Sequence, residues 1–133
     1  MSGSSKHRSP EYWLGLAMED LACAIAILDL EETQPRHSVG LAAQAAEKAL
    51  KAAVMAAGVE PPISHDLVAL AHRSVAILQI TVGEHDLRRL SDAYEQARYP
   101  ASSRDLFDHQ DAVGSARVAD LIVNEVIAAL RPG

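Results

Sequence analysis

The feature that most constrains this chain is its punctuation. Proline or glycine interrupts an otherwise helix-forming sequence at Pro10, Pro35, Gly58, Pro61-Pro62, Gly83, Pro100 and Pro132. Between those marks the apolar residues recur every three or four positions, the spacing that lines one helix face, and nowhere with the period of two that a strand requires. A chain cut in this way is expected to be all-α: an antiparallel bundle of four main helices plus a shorter fifth, with short connections everywhere except before the last helix.

The segments follow from local chemistry. Ser9-Pro10-Glu11 starts a first helix, with Ser9 as N-cap, Pro10 where a missing N–H costs nothing and Glu11 favourable toward the dipole. Leu14, Met18, Leu21, Ile25 and Leu28 give that helix one apolar face, and Thr33-Gln34-Pro35 ends it near Glu32. A second helix is expected from Arg36 to Ala57, closed by Gly58 as a left-handed cap. A third begins after the Pro-Pro turn, with Ser64 placed to cap it and Leu67, Leu70, Ala71, Ser74, Ile77 and Leu78 on one face. Leu87, Leu90, Tyr94 and Ala97 mark a fourth helix from about Glu84, stopped near Arg98 because Pro100 disfavours helical geometry at Tyr99. Ala119, Ile122, Val126, Ile127 and Leu130 mark the last helix, from about Asp108 to Leu130.

Composition narrows the class. The chain has 133 residues, 49% of them apolar, 4% aromatic and 23% charged, which suits one globular domain over residues 10–131 behind a flexible N-terminal arm of residues 1–9. Abundant alanine implies closely approaching helices. Met1 to Ser9 lacks the apolar core of a secretory signal, and no apolar run approaches the roughly 20 residues that span a bilayer, so a cytoplasmic, non-membrane protein is expected. Cys23 is the only cysteine. It excludes an intrachain disulfide, and its apolar setting Leu21-Ala22-Cys23-Ala24-Ile25 reads as a buried, inert thiol in a reducing compartment. A net charge of −6 argues against indiscriminate nucleic-acid binding, though not against a local basic site. His7, His37, His72 and His85 show no metal-ligand spacing and there is no glycine-rich phosphate loop, so neither a metal nor another cofactor is expected.

Three strings hold the remaining chemistry. In Gln44-Ala45-Ala46-Glu47-Lys48-Ala49-Leu50-Lys51, the residues Gln44, Glu47, Lys48 and Lys51 share one polar stripe opposite Leu41, Ala45, Ala49 and Ala52. Alone, that stripe reads as a solvated face with an ordinary Glu47–Lys51 pair worth about 0.3–0.5 kcal/mol. In His65-Asp66-Leu67, Ser64 or Asp66 satisfies free N–H groups at a helix start, while His65 is positioned to meet a neighbouring carbonyl or a phosphate. In Ala97-Arg98-Tyr99-Pro100, Arg98 meets the negative end of its helix dipole, and Tyr94 and Tyr99 flank the guanidinium. A packed helix corner and a base-stacking or phosphate site both fit.

In this order and separation, the three strings resemble the HEPN domain family, and an opening helix with Trp13, Ala17, Asp20 and Leu21 is similar as well. The likeness covers roughly Pro10 to Leu130. It implies a bundle of four to five helices that commonly dimerises, often paired in prokaryotes with a minimal nucleotidyltransferase, at times as toxin and antitoxin. Other members bind nucleotides, and a large branch are metal-independent ribonucleases with an Arg followed four to six residues later by His. There the His moves the proton of a ribose 2′-hydroxyl and the Arg stabilises the phosphoryl charge.

This chain departs from that pattern, because no His follows Arg98 at the required distance. A substitute pair, Arg104 and His109, comes later, but on a helix the two would lie about 500° apart and so not side by side. The leading expectation is therefore a homodimeric HEPN protein, non-enzymatic or weakly enzymatic, acting with a minimal nucleotidyltransferase partner in a toxin–antitoxin pair. The alternatives are a metal-independent endoribonuclease using Arg104 and His109, and a stand-alone module binding nucleotide or RNA through Lys48, Lys51, His65, Arg98 and Tyr99.

Overall fold

The computed structural model describes residues 9–30, 35–75, 77–98 and 107–131. The helices follow in the order α1 Pro10–Ile27, α2 Pro35–Ala56, α3 Leu67–Arg73, α4 Glu84–Arg98 and α5 His109–Leu130, with no strand among the described residues. The chain is all-helical, and it is α3 that is short.

Side-chain oxygens start three of these helices. Ser9 Oγ accepts from the Tyr12 N–H at 3.0 Å, and Asp108 forms a reciprocal capping box with Asp111, at 2.8 and 2.9 Å. Asp66 caps α3, accepting from the N–H groups of Val68 and Ala69, while Ser64 only accepts from the Asp66 N–H. Of the two expected caps, Ser64 and Asp66, it is Asp66 that serves. An aspartate carboxylate is the stronger acceptor for two converging donors. α2 ends as its glycine predicts: Gly58 has φ +82°, its N–H donates to Met55 C=O, and the Val59 N–H donates to Val54 C=O.

α2 is the centre of the molecule and touches every other helix. Its buried residues include Ala42, Ala43, Ala45, Ala46, Ala49, Ala52 and Ala53, which fall on about half of its circumference and let neighbours pack close to its backbone there. Leu14 and Leu21 of α1, Leu67 and Leu70 of α3, Leu87 and Leu90 of α4, and Ile122, Val123 and Val126 of α5 fill the seams. Ser38 Oγ, fully buried, donates to the Ala24 C=O at 2.8 Å and pins α2 against α1.

Several apolar residues do not face the core as their spacing suggests. In α1 the buried stripe is Leu14, Ala17, Leu21 and Ala24, leaving Met18 38% and Ile25 44% exposed. α1 is apolar on more than one side, so periodicity alone did not distinguish which side meets the small alanines of α2. The same rotation exposes Cys23, correcting the expectation of a buried thiol. α3 stops at Arg73, and Ile77 lies in the exposed turn beyond it. α1 likewise ends at Ile27, short of Glu32, with Leu28 outside the helix as its C-cap.

Candidate functional site

The polar stripe of α2 is not a solvated face. Glu47 is nearly buried, and there Lys51 Nζ donates to Glu47 Oε2 at 2.8 Å while His65 Nδ1 lies 2.6 Å from Glu47 Oε1. The side chains of Glu47 and Lys51 are each only 12% exposed. Lys48 Nζ donates to Asp20 Oδ2 at 2.6 Å, tying α2 to α1, and Lys51 Nζ sits 5.9 Å above the Trp13 ring. The stripe is covered because α1 reaches over it from one side and the His65 turn from the other. Charges so enclosed persist because each has a partner of opposite sign.

Ser91 of α4 holds that turn in place. Its Oγ donates to the His65 C=O at 2.8 Å and accepts from the Leu67 N–H at 3.2 Å. The His65 ring thereby stacks at a tilt on Tyr94, 4.8 Å between centroids. Burial pushes the Tyr94 phenol above its ordinary value, and the nearby Glu47 carboxylate adds to the effect. The phenol is a neutral hydrogen-bonding group throughout the physiological range.

Tyr94 also forms part of a second, open feature. The Arg98 guanidinium carbon lies 5.5 Å from its ring centre, and Arg98 reaches Glu95 at 3.5 Å. Here α2 and α4 diverge to leave a cleft of about 470 Å³, lined by Ile27, Arg36, His37, Gly40, Leu41, Gln44, Tyr94, Ala97 and Arg98. Among the described residues no carboxylate lines it. A larger groove of about 550 Å³ between α4 and α5 mixes Asp86, Asp92 and Asp111 with Arg89 and Arg117, so it offers no net preference for an anion.

The candidate residues thus separate. Lys48, Lys51 and His65 lie together, each engaged with a carboxylate of the protein itself. Arg98 lies on the other flank of Tyr94, in the open cleft. His109 is the exposed first residue of α5. Tyr99 and Arg104 lie outside the described residues. Sequence reasoning passed over Arg36, His37 and Gly40. The available signal was angular: with Leu41 and Gln44 these residues fall within about 140° of arc on α2 at 100° per residue.

Among the described residues no group of three or more His, Cys, Asp and Glu could hold a metal ion, and no helix is long and apolar enough to cross a membrane. No curated protein and no solved structure matches the chain closely enough to serve as a relative. The HEPN domain profile matches residues 10–128, nearly the whole length, and its helical character agrees with the five helices. The ordered strings on α2, the α3 start and the end of α4 thus have a common origin: the chain belongs to the HEPN domain family.

Proposed function

We propose that this HEPN protein binds a phosphate-bearing ligand, nucleotide or RNA, in the cleft between α2 and α4. One observation carries the reading: Arg36, His37 and Arg98 line a single cleft with Tyr94, and among the described residues no carboxylate joins that lining, on a chain whose net charge is −6. Concentrating cations where the rest of the surface is acidic creates a local attraction for phosphate and repels anions elsewhere. The guanidinium groups supply paired donors that match phosphate oxygens, and the tyrosine supplies a face for a base. Lys48, Lys51 and His65 act in this reading as support, because they lie outside the cleft lining and the His65 ring packs on Tyr94.

The broader setting we propose is a homodimer that acts with a minimal nucleotidyltransferase, as one member of a toxin–antitoxin pair. The exposed apolar pair Met18 and Ile25, which fall about 20° apart on α1, supports a protein partner, since exposed apolar surface is stabilised by being covered. Calorimetric titration with nucleotides and short RNAs tests the ligand. Binding that is weakened in Arg98→Gln is the expected result, and identical heats in wild type and variant would remove the assigned cleft. Co-purification with the product of an adjacent nucleotidyltransferase gene tests the setting, which fails if no such gene or complex exists. EDTA-resistant RNA cleavage abolished by His109→Ala would instead favour a nuclease.

A further inference from the structure

α1 carries an exposed side as regular as its buried one. Leu14, Ala17, Leu21 and Ala24 turn inward, and opposite them Met18, Ala22, Ile25 and Ala26 are exposed. At 100° per residue these four fall within about 100° of arc, and they extend over about 12 Å of the axis. Acids stand at the edges of this stripe. Exposed Glu19 lies about 60° round the helix from Ala22, and exposed Asp29 follows about one turn beyond Ile25. Glu11, at the other end, is already matched by Arg131 at 2.7 Å, and Asp20, on the far flank, by Lys48. The helix Pro10–Ile27 contains no Lys or Arg of its own. Glu19 and Asp29 are therefore the stripe's own charges, and among the described residues no ion pair reaches either of them.

Resting on the reading that this chain takes a protein partner, we infer that the α1 stripe receives an amphipathic helix of that partner, apolar at every third or fourth position and bordered by Lys or Arg. Met18 and Ile25 stand as ridges seven residues apart, and the small Ala22 and Ala26 beside them leave hollows that leucine-sized side chains of a second helix fill. A cation opposite Glu19 and another opposite Asp29, about 15 Å further along, fix the register of that helix and speed its approach. A second copy of this chain suits the stripe less well. Two α1 helices packed antiparallel about a two-fold axis at Ala22 would set their Glu19 residues only about 9 Å apart along the axis. Two Asp29 residues would join them, and α1 holds no cation to offset the four like charges. The homodimer face accordingly lies elsewhere on the bundle.

Fluorescence anisotropy on the full chain tests this with three labelled peptides of about five helical turns. The first has Leu at helical spacing bordered by Lys, the second replaces each Lys by Glu, and the third scrambles the first to erase the spacing. The first should bind, less tightly as salt is raised, and the other two should bind about tenfold or more weakly. Ile25→Gln and Glu19→Lys should each lower its affinity about tenfold, while Leu121→Gln, at an exposed position of α5, should leave it unchanged. Circular dichroism should show all three variants folded. Scrambled and ordered Lys peptides binding equally would overturn the helical occupant, and Lys and Glu peptides binding equally would overturn the charge match. No binding of the Lys peptide, or affinity unchanged in both α1 variants, would overturn the assigned face. Light scattering that finds the wild type dimeric and Ile25→Gln monomeric would give the stripe to a second copy instead. The partner reading fails separately, if no nucleotidyltransferase complex co-purifies; a complex that survives both α1 substitutions keeps that reading and overturns this one.

Discussion

Replacing Glu47 by alanine is the sharpest test of how the α2 stripe is held. Were Glu47–Lys51 an ordinary exposed pair four residues apart on a helix, its loss would cost about 0.3–0.5 kcal/mol. The geometry points to a different regime: Glu47 receives Lys51 at 2.8 Å and His65 at 2.6 Å, and its side chain and that of Lys51 are each 12% exposed. Removing the carboxylate strands an ammonium in a covered site, for which the cost is about 3–5 kcal/mol. His65 is more open to water and sheds part of its loss, so the lower end, about 3 kcal/mol, is expected for Glu47→Ala. Against a total stability of about 5–15 kcal/mol that is a large fraction, readily seen as a fall in the urea midpoint followed by circular dichroism. The paired replacement Glu47→Leu with Lys51→Met removes both charges and should cost far less than the two single changes added together. A Glu47→Ala penalty below about 1 kcal/mol, or simple additivity in the double variant, would refute the enclosed network.

Other outcomes follow from the same geometry. Gly40→Ala should stabilise by about 0.5–1 kcal/mol in urea unfolding, because α2 gains a better helix former whose methyl meets Ala97 at ordinary contact distance. Asp66→Ala removes the acceptor for the Val68 and Ala69 N–H groups and should cost about 1 kcal/mol by the same assay. The raised Tyr94 phenol makes stability fully present below the ordinary tyrosine range and lost as pH rises through the folded-state value. Tyr94→Phe should remove that alkaline component, measured as the difference between the two proteins' unfolding free energies above neutral pH. Arg131→Ala breaks the 2.7 Å pair that holds the Glu11 carboxyl below its ordinary value, so a carbon-detected NMR titration should show Glu11 returning toward it.

What could be read in the sequence divides along physical lines. Helix starts and stops were legible because capping is local: Ser9 and Gly58 depend on residues within one turn of themselves. Faces were less legible where apolar residues surround a helix. Leu14, Met18, Leu21 and Ile25 have flawless helical spacing, yet the buried stripe takes Leu14 and Leu21 and turns away from Met18 and Ile25. The choice depends on the shape of α2, which no pattern within α1 encodes. The site divides the same way. The Glu47–Lys51 pair follows from spacing, but the enclosure that gives it importance comes from His65 and Trp13, distant in sequence. Arg36 and His37 looked unremarkable until α4 brought Tyr94 and Arg98 opposite them.

The alanine-rich side of α2 has a calorimetric consequence. Alanine gives up no side-chain rotamer freedom on burial, so a core centred on Ala42, Ala45, Ala49 and Ala52 is assembled with little entropy loss and modest apolar area per residue. The heat-capacity change of unfolding scales with the apolar area exposed and is about 12–15 cal/mol/K per residue in typical proteins. For this protein it should lie at or below the lower figure, which makes the curve of stability against temperature broad and shallow. Scanning calorimetry should therefore find a fold whose stability varies little over the temperatures at which leucine-centred bundles pass through a sharper maximum.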